Sequence, residues 1–161
     1  MPSGAPANGQ DRFRFPEEKD LQSLYELDQL AFGKVEGYSY LVVRQWFVVH
    51  QRDFLLLERD GVLCGYALAA LASDGTAVAS LLALAVLPEL REQGCGWALL
   101  HAAVGHAREI GARRMDLAVR PDNEAARRLY LKYGFRDSVA EPLPDYYGEG
   151  RARMLMSLPL V

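Results

Sequence analysis

Residues 83–100 read A-L-A-V-L-P-E-L-R-E-Q-G-C-G-W-A-L-L, and this order predicts a strand, a short loop and a helix. The apolar run breaks at Pro88, and Gly94 and Gly96 open a segment whose apolar residues recur at helical spacing. A helix N-terminus carries unpaired N–H groups and a partial positive charge, and glycines there let a ligand approach the backbone closely. The stretch therefore predicts a site for an anion such as a phosphate or pyrophosphate.

Length, charge and cysteine use restrict the class of protein. The chain has 161 residues, enough for one domain with a substantial core, and its formal net charge of −3 argues against broad nucleic-acid binding. Cys64 and Cys95 fit neither a disulfide framework nor a metal-ligand spacing, so we expect a reducing, cytoplasmic environment and no metal. No apolar run is long enough to span a bilayer, so we expect no membrane partner. The chain is compatible with a monomer or a homodimer.

The two ends of the chain differ in composition. Residues 1–11 begin M-P-S-G-A-P-A-N-G-Q, which has neither the basic nor the apolar region of a signal peptide, and we expect a disordered tail. Residues 12–161 are predicted to form the single folded domain.

Hydrophobic periodicity and turn residues predict about seven strands and about four helices. The predicted strands are 12–15, 54–57, 62–71, 76–86, 114–119, 135–143 and 152–158. The predicted helices cover 21–30, 39–50, 96–110 and 123–133, with Asp20 as the cap of the first helix and a loop at 32–38. The strand–helix–strand unit in the middle of the chain requires a parallel pair. The fold class is therefore α/β (α+β), with a mixed, mostly antiparallel sheet.

A second stretch, residues 117–135, reads L-A-V-R-P-D-N-E-A-A-R-R-L-Y-L-K-Y-G-F. Pro121 and Asp122 open a helix in which Asn123 and Tyr130, seven residues apart, share one face. Gly134 ends that helix. Either stretch alone is a common pattern, but their order along the chain is specific.

Together the two stretches resemble the GNAT superfamily of acyl-CoA-dependent N-acetyltransferases. That family has Arg/Gln-x-x-Gly-x-Gly/Ala after a strand, and then Asn and Tyr on a later helix that ends in Gly-Phe. The matching residues are Arg91, Gly94, Gly96, Asn123, Tyr130, Gly134 and Phe135. The resemblance extends over almost the whole chain and implies a single GNAT-like domain with a V-shaped opening between strands 4 and 5.

The resemblance implies acetyl-CoA as co-substrate and no metal. The glycine loop would wrap the pyrophosphate through backbone N–H groups, and the end of the fourth strand would bind the pantetheine arm as an added strand does. The implied cofactor-binding residues are Leu84, Ala85, Val86, Arg91, Glu92, Gln93, Gly94, Cys95, Gly96, Trp97 and Asn123. For Asn123 a second interpretation is equally open, because a residue at that position also serves as a helix cap.

By the same resemblance, Tyr130 is the general acid that protonates the departing CoA thiolate. A phenol with a pKa near 10 can donate a proton at neutral pH to a thiolate whose conjugate acid has a pKa of about 8.5. The alternative is a core tyrosine on an amphipathic helix.

The position that matches the general base of related enzymes carries no base in this chain. Bacterial ribosomal-protein N-terminal acetyltransferases carry a glutamate in a Leu-Glu-Val-Arg run, where this chain has Ala118. Deprotonating a lysine at about pH 7.4 costs roughly 4 kcal/mol, whereas an α-amine with a pKa near 7.8 costs well under 1 kcal/mol. A site without a strong base therefore favours an α-amine. The candidates for a proton relay are Glu36, Tyr38, Tyr147 and Glu149.

Aromatic residues in two loops are the candidates for acceptor binding. Tyr146 and Tyr147 precede a Gly-acidic turn and a strand that ends in Met, as in N-terminal acetyltransferases, and Tyr38 would form the opposite wall. The alternative is an exposed aromatic hairpin that covers the sheet edge. We expect acetyl transfer to the N-terminus of a protein or peptide. The alternatives are a small amine (an aminoglycoside, amino acid or polyamine) as acceptor, and an acyl-CoA sensor without turnover.

Overall fold

The computed structural model describes residues 10–161, so that most of the predicted tail lies outside the described residues. Within 10–161 the chain forms seven strands and four α-helices. The elements are β1 (Asp11–Arg14), α1 (Leu21–Glu36), α2 (Tyr40–His50), β2 (Phe54–Arg59), β3 (Val62–Leu71), β4 (Val78–Val86), α3 (Cys95–Glu109), β5 (Arg114–Val119), α4 (Glu124–Tyr133), β6 (Arg136–Asp137) and β7 (Met154–Pro159). None of the helices in this range is both long and apolar enough to cross a membrane.

The strands form one sheet in the order β1-β2-β3-β4-β5-β7-β6. The pairs β1/β2, β2/β3, β5/β7 and β6/β7 are antiparallel, whereas β4 and β5 are parallel and are connected by α3. The parallel ladder runs from Val78 opposite Arg114 to Leu81 opposite Leu117, and β4 continues beyond it to Val86. The prediction of a mixed, mostly antiparallel sheet of about seven strands with a parallel central pair is therefore confirmed.

The described chain divides into two compact units. The first contains the described residues up to Ala69 together with Ala83–His106, and the second contains Ala70–Leu82 together with Ala107–Val161. The periodicity of the sequence explains the core of each unit, because one face of each helix and alternate residues of each strand are apolar. The largest buried side chains of the first unit are Leu21, Leu24, Leu56, Leu57, Tyr66, Leu68, Leu99, Leu100 and Val104. Those of the second unit are Met115, Phe135 and Met156.

Glycines with positive φ follow both α3 and α4, close to the helix ends that were predicted at residues 110 and 133. Gly111, with φ +93°, follows α3, and Gly134, with φ +125°, follows α4. The N–H of Gly134 donates to the carbonyl of Tyr130 at 3.1 Å, which closes the last turn.

The segment after α1 differs from the prediction of a loop at 32–38. The helical assignment continues to Glu36, with a kink at Gly33, whose φ of +78° and ψ of 174° are not helical. The N–H of Gly37 donates to the carbonyl of Gly33 at 2.8 Å, so residues 33–37 form one further turn. A glycine in this conformation allows a second helical turn at an angle to the first, and apolar periodicity does not reveal such a turn.

The predicted cap of α1 is also wrong in its bonding. Asp20 occupies the N-cap position, but its side chain makes no capping hydrogen bond to α1. Its carboxylate accepts from the guanidinium of Arg14 at 2.7 and 2.8 Å and from the N–H of Glu17 at 2.7 Å. The Asp20 carboxylate therefore binds the guanidinium of Arg14 instead of capping α1.

The strand predicted at 135–143 is much shorter in the structure. β6 contains only Arg136 and Asp137, and Leu143 makes an isolated bridge with Arg153. Pro142 and Pro144 flank Leu143 and have no N–H to donate to a ladder, which explains why the bridge at Leu143 does not extend into a strand.

Candidate active site

The end of β4 leads into α3 through a single 3-10 turn, Pro88–Leu90, and a short loop. Glu92 and Gly94 have positive φ angles of +62° and +83°, so the backbone turns sharply before the helix. The N–H of Ala98 donates to the carbonyl of Gly94 at 3.0 Å, which makes Gly94 the N-cap residue of α3.

The N-terminus of α3 is arranged for an anion. Gly94 has no side chain with which to cap the helix, and the first turn contains no acidic residue. The first N–H groups of any α-helix have no acceptor within the helix and carry the positive end of its dipole. Gly96 and Trp97 belong to this turn, and the Trp97 side chain is exposed. Three of the predicted residues, Cys95, Gly96 and Trp97, therefore form the first turn of this helix.

Two side chains of the loop hold its backbone. Nη2 of Arg91 donates to the carbonyl of Ala31 at 3.1 Å, and Nε2 of Gln93 donates to the carbonyl of Glu89 at 3.2 Å. Arg91 thus ties the loop to α1, a contact that spacing along the sequence does not reveal.

Arg59 is a further support of the loop that sequence reasoning missed. Its Nη1 donates to the carbonyl of Gln93 at 3.2 Å, while Nε and Nη2 make a bidentate pair with Asp11 at 2.7 and 3.0 Å. Asp11 and Arg59 lie opposite each other on β1 and β2, so the signal is an opposite-charge pair that appears only once the strand register is known.

The end of β4 presents little side-chain chemistry. Ala85 is buried and Leu84 and Val86 are half-buried. Gly65 of β3 lies so close that a Cβ there would come within 2.4 Å of the Ala85 carbonyl oxygen. The parallel ladder of β4 ends at Leu81, so residues 84–86 come after its last paired position along the strand.

The thiol of Cys95 is not placed for chemistry. The residue is 1% exposed, and burial raises the pKa of the thiol. A protonated, enclosed thiol is a poor nucleophile, so any role of Cys95 in cofactor binding belongs to its backbone.

Tyr130 lies on the buried face of α4. Its side chain packs edge-on against the ring of Phe135, with 5.7 Å between the ring centroids. Burial raises the pKa of the Tyr130 phenol, so the hydroxyl keeps its proton throughout the physiological range. The group is therefore a hydrogen-bond donor at neutral pH.

Asn123 is the cap of α4. Its Oδ1 accepts from the N–H of Ala126 at 3.2 Å, and the helix begins at Glu124. Of the two interpretations of Asn123, the structure shows the helix cap, and a contact with the cofactor stays a prediction.

The backbone of Tyr38, between α1 and α2, is held on both sides. Its N–H donates to Oδ2 of Asp28 at 2.5 Å, and Nε2 of Gln29 donates to its carbonyl at 2.8 Å. Oδ1 of Asp28 accepts from the hydroxyl of Tyr66 at 2.5 Å. Burial raises the pKa of the Asp28 carboxyl, whereas the hydrogen bonds from Tyr66 and Tyr38 lower it.

Asp28 and Gln29 were not among the predicted site residues. Asp28 is 0% exposed and falls in helical register with Leu21 and Leu24, so a carboxylate occupies the apolar face of α1. An acidic residue at a core position is a signal visible in the sequence, although its partners are not.

The loop before β7 carries the other predicted acceptor residues. Tyr146 and Tyr147 are both exposed, and their rings meet edge-on with centroids 4.8 Å apart. The guanidinium of Arg153, a buried residue, lies 4.9 Å from the centroid of the Tyr147 ring. Partial burial raises the pKa of the Tyr147 phenol, and the charge of Arg153 opposes this.

No carboxylate on β5 replaces the missing glutamate at Ala118. Asp116 lies on the same face, two residues earlier, but its oxygens accept from Arg114 at 2.8 and 2.9 Å and from Ser157 at 2.8 Å. Glu36 ends α1 and Glu149 lies exposed in the loop before β7. In residues 10–161 we find no group of three or more His, Cys, Asp or Glu side chains arranged to hold a metal ion.

The chain is similar to known acetyltransferases. The acetyltransferase (GNAT) family matches residues 21–135. The chain is 28% identical to an N-alpha-acetyltransferase of Sulfurisphaera tokodaii over 159 residues, which is 92% of this chain and 93% of that protein. It is 30% identical to a putative ribosomal protein bS18-alanine N-acetyltransferase of Bacillus subtilis, over 73% of this chain and 76% of that protein.

A solved structure gives the same result for the fold. The structure of Ard1 from Thermoplasma volcanium superposes with a TM-score of 0.82 at 27% identity and covers 94% of this chain and 98% of that one. The chain therefore belongs to the acetyltransferase (GNAT) family and is an acyl-CoA-dependent N-acetyltransferase.

Proposed function

We propose that this enzyme transfers the acetyl group of acetyl-CoA to the N-terminal α-amine of a protein or peptide. The observation that carries the proposal is the start of α3, where Glu92 and Gly94 turn the backbone into a first helical turn that contains no acidic residue. Such a turn suits a doubly charged pyrophosphate, because backbone N–H groups and the helix dipole both act on it.

Acetyl-CoA is proposed to bind along the end of β4 and the following loop. Backbone N–H groups of residues 92–97 bind the pyrophosphate, and Arg91 keeps the loop on α1 through the Ala31 carbonyl. Leu84, Ala85 and Val86 offer backbone groups to the pantetheine amides. Acetyl-CoA is written here as co-substrate, since it is consumed in each turnover.

The chemical step is a direct attack of the amine on the thioester. The neutral amine nitrogen forms a bond to the acetyl carbon and loses one proton to solvent water, while the carbon–sulfur bond breaks and the sulfur leaves as a thiolate that takes a proton. We assign that proton to Tyr130, whose phenol stays protonated because its pKa is raised by burial.

An α-amine is the proposed acceptor because the residues at and beside position 118 provide no strong general base. Ala118 carries no base, and the Asp116 carboxylate beside it already accepts from Arg114 and Ser157. An amine that is partly neutral at physiological pH needs no strong base, and N-terminal α-amines have pKa values near 7.8. The names of the two relatives, an N-alpha-acetyltransferase and a ribosomal-protein-alanine N-acetyltransferase, support the same choice.

The acceptor is proposed to contact Tyr38, Tyr146 and Tyr147. Phenol groups bind a peptide backbone through hydrogen bonds while their rings pack on its side chains. Arg153 supports Tyr147 from the buried side, so we expect the peptide to meet a preformed aromatic surface there.

The test is the rate of thiol release from acetyl-CoA with a set of short peptides that differ only in their first residue. Matched peptides with a blocked N-terminus and a free lysine, and small amines (an aminoglycoside, amino acids and polyamines), complete the set. Turnover with free N-termini, lost on blocking, supports the proposal. Turnover with lysine or with small amines alone overturns the acceptor assignment, and acetyl-CoA binding without any thiol release would identify a sensor.

The pH profile with the best peptide is a second prediction. An attacking α-amine makes kcat/KM rise with pH up to about 8 and then level off, whereas a lysine makes it rise to about 10. Because the pKa of Tyr130 is raised, we expect no descending limb below pH about 10. A descending limb at neutral pH would contradict the role of Tyr130.

A further inference from the structure

A buried carboxylate lies directly beneath the segment between α1 and α2. We propose that Asp28 and Gln29 are positioning residues that fix Tyr38 in the acceptor site before the acceptor arrives. This inference rests on the proposed function, because it takes Tyr38 as part of that site. We call Asp28 and Gln29 together the Tyr38 clamp.

The first argument is that the Tyr38 clamp binds both polar groups of the Tyr38 backbone. Asp28 accepts its N–H at 2.5 Å, and Gln29 donates to its carbonyl at 2.8 Å. The two clamp residues are neighbours on α1. The backbone of Tyr38 is therefore fixed to a helix, although Tyr38 itself lies between two helices. A backbone held at both groups has little freedom left to lose on binding.

The second argument is the close approach of Gly37 to the same helix. A Cβ on Gly37 would lie 2.7 Å from Nε2 of Gln29 and from the carbonyl oxygen of Gly33, and 2.9 Å from Oδ2 of Asp28. Only glycine therefore fits without displacing the Tyr38 clamp. The kink at Gly33, with its positive φ, is what turns the chain back toward Asp28.

The third argument is that Asp28 is costly to bury. The residue is 0% exposed, and its second oxygen is occupied by the hydroxyl of Tyr66, itself 1% exposed. A carboxylate without hydrogen-bond partners in this environment would destabilise the fold, and an apolar residue would fill the α1 face at lower cost. The Asp28 carboxylate accepts the N–H of Tyr38 and so orders its backbone, which an apolar side chain cannot do.

A preordered Tyr38 lowers the entropy cost of acceptor binding and leaves the chemical step unchanged. Loss of the Tyr38 clamp is therefore expected to appear in the acceptor KM and not in kcat. A purely structural role of the same residues would lower stability without that selective change in KM.

Gln29→Met is the decisive variant, because it removes the bond to the Tyr38 carbonyl and keeps the length and the apolar part of the side chain. Gln22→Met is its matched control: the change is the same, on the same helix, and it removes an exposed bond to Glu26 of 2.9 Å. With the best peptide of the N-terminal set, Gln29→Met is expected to raise the acceptor KM about fivefold, the effect of one hydrogen bond. The value of kcat and the Kd for acetyl-CoA should stay within about twofold.

Asp28→Ala is the second variant, with an expected rise in the acceptor KM of about tenfold or more, because the N–H of Tyr38 and the hydroxyl of Tyr66 both lose their acceptor. If this variant does not fold, Gln29→Met alone decides. Equal KM values for Gln29→Met and Gln22→Met, or a fall in kcat at constant KM, overturn the role of the Tyr38 clamp. If the wild-type enzyme releases no thiol with any acceptor, the proposed function is itself overturned, and the inference with it.

Discussion

Helices α3 and α4 begin in opposite ways. α3 starts after Gly94, which has no side chain, and no acidic residue lies in its first turn. α4 starts after Asn123, whose Oδ1 accepts the N–H of Ala126, and its first turn contains Glu124. The positive end of α4 is thus neutralised within the helix, whereas the N-cap and first turn of α3 carry no acidic side chain.

The difference indicates that α3 and α4 contribute to the candidate active site in different ways. α3 is proposed to offer its backbone, and Gly94 and Gly96 at its start carry no side chain that would keep a ligand from it. α4 is proposed to offer one side chain, Tyr130, from its buried face, and Asn123 caps its N-terminus while Gly134 follows its last turn. A mutation should therefore act on the cofactor through α3 and on the chemical step through α4.

The largest expected effect is that of Tyr130→Phe. The variant keeps the ring against Phe135 but removes the only proton that α4 is proposed to donate, and general acids contribute roughly a hundredfold or more to rate. We expect kcat to fall at least about a hundredfold while the Kd for acetyl-CoA stays within about twofold. Steady-state thiol release and equilibrium binding measure the two quantities.

Tyr133→Phe on the same helix is the control for this prediction. Tyr133 also lies near the ring of Phe135, with centroids 6.3 Å apart, and its change to Phe removes a hydroxyl from α4 without touching Tyr130. Its kcat should match that of the wild type. Turnover of Tyr130→Phe at the level of this control would show that another group, or water, protonates the thiolate.

The next largest effect should come from making α3 resemble α4. Gly94→Asp places a carboxylate at the N-cap of α3, and like-charge repulsion of about 1.4 kcal/mol would raise the Kd for acetyl-CoA about tenfold. Gly75→Asp is the control, since Gly75 has nearly the same φ, +79° against +83°, and a Cβ at either glycine meets no atom within 4 Å. Both variants have the same backbone strain, so equal Kd values would place the pyrophosphate elsewhere.

The bounds of α3 and α4 were predictable because their signals are local. Both helices start within one residue of the predicted position, and a glycine with positive φ stops each of them. The same holds for β5, which was predicted at residues 114–119 and has the same bounds in the structure, with burial that alternates along the strand. Local turn chemistry and periodicity suffice for these elements.

The supports of the candidate site were not predictable because their partners are far apart in the sequence. Asp28 and Tyr66 are 38 residues apart, and Arg91 and Ala31 are 60 residues apart. Each pair depends on how distant elements pack together, which no local sequence pattern reveals. The sequence showed only that Asp28 interrupts an apolar face. What binds a buried carboxylate becomes visible only in the folded chain.

The smallest expected effect concerns Asn123, and it sharpens the comparison of the two helix starts. Asn123→Ala removes the cap of α4 and should cost about 1 kcal/mol, or about 3 °C in the melting temperature for a chain of this size. Asn123→Asp retains a capping oxygen and should melt close to the wild type, but it adds a negative charge. If Asn123 serves only α4, the Kd for acetyl-CoA is the same in both variants. A Kd that rises for Asn123→Asp alone would place this side chain against the phosphates, and α4 would then contribute to cofactor binding as α3 does.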